Sequence, residues 1–467
     1  MIARNNNLTP PSGLANWAHA TGATPPIVPG SPSAVGGALE RSAFGVYVHF
    51  PWCLKKCPYC DFLSLAEPEP ASLPHRAYAL QVLRELDARL AQGFEGLRDA
   101  QLASVFFGGG TPSLWEANAL GDALAGILQR FPHHSGCEIT VECNPTSLDL
   151  GHANRLADVG VNRLSVGIQG TNDQRLKFLG RLHDAERGLS ALEQAVRSRV
   201  PRVSADVIFG VHGQDSESAR LDVARVADSG VEHLSAYALT IEPGTQFGAL
   251  ARKGRLPQLP DDAIAEAYLS VEVELSRRGF EHYEISNYAR SGQESRHNLG
   301  YWRGRQYLGL GCGAWGTLSV GHGVLPRGIE IGPSSRAVRY RNSPSAERYL
   351  ACDFTHAFEL GQGVSELEPL EAETLIAERL MLGLRLAEGV DLDQVALELE
   401  HELGEPRRSA LSRALEAGKL ERLSDGARET GNSRTPAASP PAAAGFGRVR
   451  IPRSAWLTAD GVITQLI

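Results

Sequence analysis

Three of the seven cysteines, Cys53, Cys57 and Cys60, fall within eight residues in the segment PWCLKKCPYC. Closely spaced soft thiolates select zinc or an iron-sulfur cluster. Structural zinc normally takes four ligands, often as two spaced pairs, but no second pair follows and only His49 is a nearby fourth candidate. A [4Fe-4S] cubane held by three cysteines leaves one iron open to a ligand. Iron-sulfur is therefore the favoured reading, with zinc or a plain thiol cluster as rivals. The other cysteines, Cys137, Cys143, Cys312 and Cys352, are scattered and read as small buried apolar residues.

Further groups suited to a charged ligand lie downstream. The glycines of GGGTPS, Gly108 to Gly110, let backbone approach closely and offer amides to a carboxylate or carbonyls to an amine. Glu142, Gln169, Arg181 and Asp206 supply charge and hydrogen bonds. Each has a plainer alternative: a tight turn for the glycines, strand-end charges or helix caps for the acids, a surface cation for Arg181.

These groups need a scaffold that gathers them. Short apolar, β-branched runs at Val46 to Phe50, Ser104 to Phe107, Glu138 to Glu142, Arg163 to Gly167, Val203 to Ile208 and His233 to Tyr237 alternate with amphipathic segments. That is the pattern of βα units around a parallel sheet. One such segment, HRAYALQVLRELDARL, is expected to place Leu80, Leu83, Leu86 and Leu90 near one helix face. Six units suggest a complete or incomplete barrel, whose strand C-terminal ends would converge on one cavity.

Lys and Arg number 46 against 54 Asp and Glu, a net charge of −8 that argues against bulk nucleic-acid binding. The sequence offers no apolar run long enough for a membrane span and no leader pattern, so we expect a soluble, cytoplasmic protein. Residues 1–42, rich in Pro, Ala, Gly, Ser and Asn, read as a flexible extension or a start codon set too early. A similar stretch at about 424–447 reads as a flexible insertion in the last domain.

The segment VYVHFPWCLKKCPYCDF, with Tyr59 just before the third cysteine, resembles the signature of the radical S-adenosylmethionine superfamily, and GGGTPS matches it too. The resemblance implies a [4Fe-4S] cluster on Cys53, Cys57 and Cys60. It also implies that the open iron chelates S-adenosylmethionine, which an electron cleaves to methionine and a 5'-deoxyadenosyl radical. FFGGGTPSLW, ECNP, NRLSVGIQGTNDQRLKFLGRLHD, SADVIFGVHGQ, HLSAYALTIEPGT and HNLGYWRGRQYLGLGCGA follow in the order found in oxygen-independent coproporphyrinogen III oxidases and their haem-chaperone relatives. Carried over by motif, Tyr47, Tyr59, Gly110, Thr111, Glu142, Gln169, Arg181 and Asp206 would contact S-adenosylmethionine. Trp315 stands where relatives contact the adenosyl part and where the chaperone pattern usually has His.

The oxidases resemble C-x3-C-x2-C-x-C, whereas position 62 here is Phe62, which favours the chaperone branch. The segment RHNLGYW supplies His297, Asn298, Tyr301 and Trp302, a pattern implicated there in haem handling. Imidazole is a sound axial ligand and aromatic rings suit a flat macrocycle. The equal alternative is a hydrogen-bonded structural histidine among core aromatics.

The expected fold is α/β: a radical SAM (β/α)6 partial barrel over 43–250, a barrel extension with the HNxxYW segment over 251–360, and a small C-terminal helical, wing-like domain over 361–467. The expected function is a haem chaperone that binds the cluster and S-adenosylmethionine and passes haem to an acceptor apoprotein, membrane-associated or not. An electron donor is needed if the cofactor is cleaved, and no nucleic acid is expected as partner. The rival is a coproporphyrinogen III oxidase; an RNA-modifying radical enzyme is disfavoured by charge.

Overall fold

The computed structural model describes residues 43–91, 97, 100–320, 334–423 and 445–467. The segment 1–42 and nearly all of the expected insertion at 424–447 lie outside the described residues.

Six strands, β1 (Phe44–Phe50), β2 (Leu102–Gly109), β3 (His133–Cys143), β4 (Arg163–Gln169), β5 (Arg202–Phe209) and β6 (His233–Ala238), stand side by side in chain order. Every neighbouring pair is parallel. These are the six strands expected from sequence, each extended at one or both ends. The crossovers between them carry helices α1 (His75–Ala91), α2 (Ala117–Leu128), α3 (Leu150–Asp158), α4 (Asp173–Phe178), α5 (Ala185–Val196) and α6 (Ser216–Asp228). Asp149, Asp184 and Asp215 start α3, α5 and α6 by accepting a hydrogen bond from a first-turn amide, satisfying a donor the helix itself cannot.

On α1 the expected face is partly wrong. Leu86 and Leu90 are buried, but Leu80 is 49% exposed. The buried stripe runs through Tyr78, Val82, Glu85, Leu86, Arg89 and Leu90, so polar residues occupy core positions and rotate the face away from Leu80.

The sheet continues past both ends of the six-strand unit. After α7 (Gln246–Arg252) and α8 (Asp261–Arg277) come β7 (Glu281–Glu284) and β8 (Asn287–Ala289); β8 pairs antiparallel to β6, and β7 antiparallel to β8. Helix α9 (Arg296–Trp302) then leads to β9 (Tyr307–Leu310), which pairs parallel to the free side of β1. Strands β10 (Trp315–Ser319), β11 (Ser335–Asn342) and, beyond helix α10 (Ala346–Ala351), β12 (Val364–Glu371) follow antiparallel. The order is β12-β11-β10-β9-β1-β2-β3-β4-β5-β6-β8-β7, open at both edges as a partial barrel.

The remaining elements are α11 (Ala372–Gly383), β13 (Val390–Asp391), α12 (Leu392–Glu398), α13 (Glu405–Glu416), β14 (Glu421–Leu423), β15 (Arg448–Arg450) and α14 (Ala459–Ile463). The three short strands form their own sheet, β13-β15-β14, beside the helices. A second core runs from Ala372 to Leu466, separate from the main core that includes Val364. Strand β12 is thus part of the main sheet, although it lies beyond the boundary at 361 expected from sequence. No described helix is long and apolar enough to cross a membrane.

Candidate functional site

Strand β1 ends at Phe50 and runs directly into the cysteine loop. Its interior-facing side chains alternate, and Tyr47 Oη lies 3.3 Å from His49 Nδ1. His49 Nε2 lies 2.7 Å from the carbonyl of Leu63, on the far side of the loop. Both ring nitrogens are engaged and burial pulls the imidazole down to about 4. The histidine considered as a fourth metal ligand is instead a strap that ties the loop to the strand. From α1, the Tyr78 hydroxyl donates to the His49 carbonyl and accepts from the amide of Cys312.

The glycine run closes against this loop. Gly110 donates to the Phe50 carbonyl at 2.8 Å, and a Cβ at Gly110 would stand 2.6 Å from the Trp52 carbonyl oxygen. Gly109 has φ +102, and a Cβ there would meet the His49 ring at 2.5 Å. Within the chain, the demand for glycine comes from the backbone and the His49 ring.

Each thiol has a hydrogen-bond donor. Thr111 Oγ1 donates to Cys53 Sγ at 3.3 Å, and Arg181 Nη1 donates to Cys57 Sγ at 3.5 Å. Burial raises the Cys60 thiol, opposed by the Phe62 amide and Ser64. Burial pushes the Cys53 thiol up to about 11 although Thr111 opposes it, so a bound metal must displace the protons. Among the described residues, no three His, Cys, Asp or Glu side chains are arranged to hold a single metal ion. A cubane makes a different demand, because each thiolate binds its own iron.

At the strand C-terminal ends the structure brings together Glu142, Gln169, Arg181 and Asp206. Glu142 stands opposite Ser165 of β4 and accepts from the Gly109 amide at 3.0 Å. Burial, then the nearby Asp206, push it up to about 8. Asp206 stands opposite Ser235 and accepts from Ser165 Oγ at 3.2 Å; burial raises it as well, against hydrogen bonds from Ser235 and Ser165. Gln169, the last residue of β4, adopts φ 65, a left-handed conformation rare outside glycine that aims a strand-end side chain off the sheet. Glu142 and Asp206, both raised by burial at a partly open strand end, are suited to a cation, since an ammonium would favour their ionised forms.

Two of the carried-over aromatics differ in place. Tyr59 is half-buried beside Arg181, with its ring 6.5 Å from that of Phe247. Tyr47 is fully buried beneath Glu142. Trp315 lies on β10 with the Arg341 guanidinium 5.4 Å from its ring centre. Sequence reasoning did not single out Ser165 and Ser235, which hold Asp206. Their alternate positions on β4 and β6 were the available signal.

The HNxxYW residues occupy the other end of the barrel. Ser104, near the start of β2, stands opposite Glu138 and lies 2.9 Å through Oγ from His297 Nδ1. From Ser104 to Gly109 the strand rises roughly 16 Å. The His297 ring stacks on Phe106 at 4.9 Å, and its amide donates to Glu138 Oε1 at 3.0 Å. Burial alone would raise Glu138, but Arg163 and Arg202 outweigh it and hold the carboxyl down. His297 is 4% exposed, its Nε2 is enclosed without a partner, and burial pulls it down to about 4. Tyr301 packs edge-on against Trp302 and Tyr307. In this conformation Nε2 is enclosed, and His297, Tyr301 and Tyr307 line a small cavity together with Ser104 and Arg305.

The sequence matches the Radical SAM superfamily over residues 47–224 and the HemN C-terminal domain over residues 370–432. It is 37% identical over 283 residues to the "Heme chaperone HemW" of Haemophilus influenzae, covering 60% of this chain and 72% of that one. It is likewise 37% identical over 293 residues to the HemW of Escherichia coli K12, covering 62% and 74%. A mitochondrial "Radical S-adenosyl methionine domain-containing protein 1" of Danio rerio is 32% identical over 357 residues, covering 76% and 74%. The solved coproporphyrinogen III oxidase HemN of Escherichia coli superposes with a TM-score of 0.65 at 16% identity, covering 93% of each chain, which is a likeness of fold. Parallel strands in chain order, a three-cysteine loop after the first, and close relatives of one kind agree: the chain belongs to the radical SAM superfamily, within its HemW family.

Proposed function

We propose that this protein is a haem chaperone that holds a [4Fe-4S] cluster on Cys53, Cys57 and Cys60, binds S-adenosylmethionine at the strand C-terminal ends, and passes haem to an acceptor apoprotein. The carrying observation is the similarity to proteins named heme chaperones, supported by Phe62 in place of a fourth cysteine. Phe62 is 51% exposed and apolar at the mouth of the loop, where it can neither ligate iron nor donate a proton.

The residues present suit both groups. Three closely spaced thiols, two of them with side-chain donors, fit a thiolate-ligated cluster, and the carboxyls of Glu142 and Asp206 fit the ammonium and ribose of S-adenosylmethionine. When bound, the cluster would supply one-electron chemistry. This chain's part is to hold the loop through His49 and Tyr78 and to keep the carboxyls poised in a partly dry pocket. We read the organisation as dividing at about 250 and, since β12 stays in the main sheet, just after Glu371, with the last unit covering or handling haem.

Anaerobic reconstitution tests the proposal. The parent should take up four irons, bind haem with a Soret band, and form no vinyl porphyrin from coproporphyrinogen III and S-adenosylmethionine by mass analysis. Replacing all three cysteines with Ala should abolish the cluster absorbance while haem binding persists. His297→Ala should cost about 1–3 kcal/mol of stability, through the lost Ser104 bond and a cavity against Phe106; a shifted Soret band in that variant would make His297 an axial ligand, and an unchanged one would make it structural. Catalytic formation of vinyl product would overturn the chaperone reading.

A further inference from the structure

Among the described residues that donate to the cysteine sulfurs, only Arg181 brings a full charge; Lys56 acts on Cys60 without bonding it. Its Nη2 donates to the Gly167 carbonyl at 2.8 Å, anchoring the guanidinium to the end of β4, while Nη1 reaches Cys57 Sγ at 3.5 Å. Its Nε is sealed from solvent with no acceptor. The turn that carries it is built onto the cysteine loop: Gly180 has φ +72, and a Cβ there would strike the Pro58 ring at 2.5 Å. The loop is held from the other side by α7, where the Phe247 amide donates to the Pro58 carbonyl at 2.9 Å.

A guanidinium fixed this firmly needs a counter-charge. Among the described residues, no carboxylate lies within ion-pair distance of Arg181, although other enclosed arginines such as Arg89, Arg175 and Arg202 each have one. Its facing groups are the Tyr59 phenol and the Cys57 thiol, with Asp206 acting at longer range. A cluster ligated by Cys57 would place its thiolate sulfur beside the guanidinium, which reaches Cys57 Sγ.

We propose that Arg181 is the counter-ion of the cluster at Cys57 and raises its reduction potential, a positioning role exercised before any S-adenosylmethionine is present. The inference rests on the cluster assignment above. Reduction adds one electron, and hence one negative charge, to a group that already carries three thiolates. A cation donating to one of those sulfurs stabilises the reduced form more than the oxidised form. Thr111, a neutral donor on Cys53, acts in the same direction but more weakly.

The test is an anaerobic redox titration of the full chain with dithionite, read by EPR of the reduced cluster, first without S-adenosylmethionine. Arg181→Gln should keep its iron and lower the reduced-to-oxidised ratio at the parent's midpoint about tenfold, ~59 mV for one electron. Arg181→Lys retracts the charge and loses the planar fork, so it should lower the ratio by less; Thr111→Val should shift it least. If the Gln variant fails to hold a cluster, the Lys variant decides the matter. An iron-replete variant with the parent's midpoint overturns the proposal, as does a shift that emerges only after S-adenosylmethionine is added. A parent that takes up no iron refutes the cluster assignment itself, a separate result.

Discussion

Burial first, and the Asp206 carboxyl second, move Glu142 from the ordinary 4.5 to about 8. Around it stand the Gly109 amide, Arg163, Asp206 and the Tyr47 phenol. An unfolded chain releases this proton near pH 4.5 and the folded one near 8, so the group favours folding fully below pH 4.5. That contribution is lost as pH rises toward 8, on the order of a few kcal/mol. Glu142→Gln should therefore flatten the fall in melting temperature of the ligand-free protein between pH 5 and 8. If an ammonium binds beside Glu142, complex formation below pH 8 must expel a proton. Calorimetry in buffers of different ionisation enthalpy should find that proton with the parent and none with Glu142→Gln. Equal proton release from both would place the ammonium elsewhere.

Beside the apolar cluster of Phe50, Trp52, Tyr78 and Trp115, a buried polar knot ties together the elements around the cysteine loop. Glu85 and Arg89 of α1, both fully buried, pair at 2.8 Å. Asn342 of β11 bonds both, Tyr349 of α10 donates to Glu85 at 2.7 Å, and the Gly311 amide donates to Glu85 at 3.0 Å. The guanidinium is capped by the Tyr340 and Phe358 rings at 4.2 and 4.4 Å. This knot ties α1 to the β9–β11 extension and, through Tyr78, to the end of β1. Glu85→Ala strands a buried cation and should cost about 3–5 kcal/mol, whereas the double change Glu85→Leu with Arg89→Met should cost less. Urea unfolding of the three proteins checks this, and a double variant no more stable than the single one would contradict it.

At the scale of the molecule, two cores meet along β7. The Ile285 amide donates to the Arg385 carbonyl at 3.2 Å and the Ala387 amide to the Tyr283 carbonyl at 3.0 Å. Trp456, 3% exposed in the second core, packs edge-on against His282 at 4.5 Å. Trp456→Ala should cost about 3–5 kcal/mol, concentrated in the C-terminal part. Hydrogen exchange should show α11 to α14 losing protection while β1 to β6 keep theirs. Equal loss in both parts would mean that the cores unfold as one unit.

The sequence alone determined the six parallel strands, because short apolar, β-branched runs alternating with amphipathic segments leave a parallel sheet as the way to bury them. It also determined the cysteine loop after β1 and the polar strand ends around it, since consecutive βα units bring their C-terminal ends to one side. Only the tertiary structure decided what contacts span many residues. His49 ties the loop to its strand, Arg181 and Thr111 point at sulfurs, and Leu80 gives way to Glu85 and Arg89 because partners on β11 and α10 satisfy those charges. His297 lies far from the cysteines for the same reason. The motif fixes its neighbours in the chain, but the return of α9 beneath β2 and β3 fixes its neighbours in space, where Ser104, Phe106 and Glu138 enclose it.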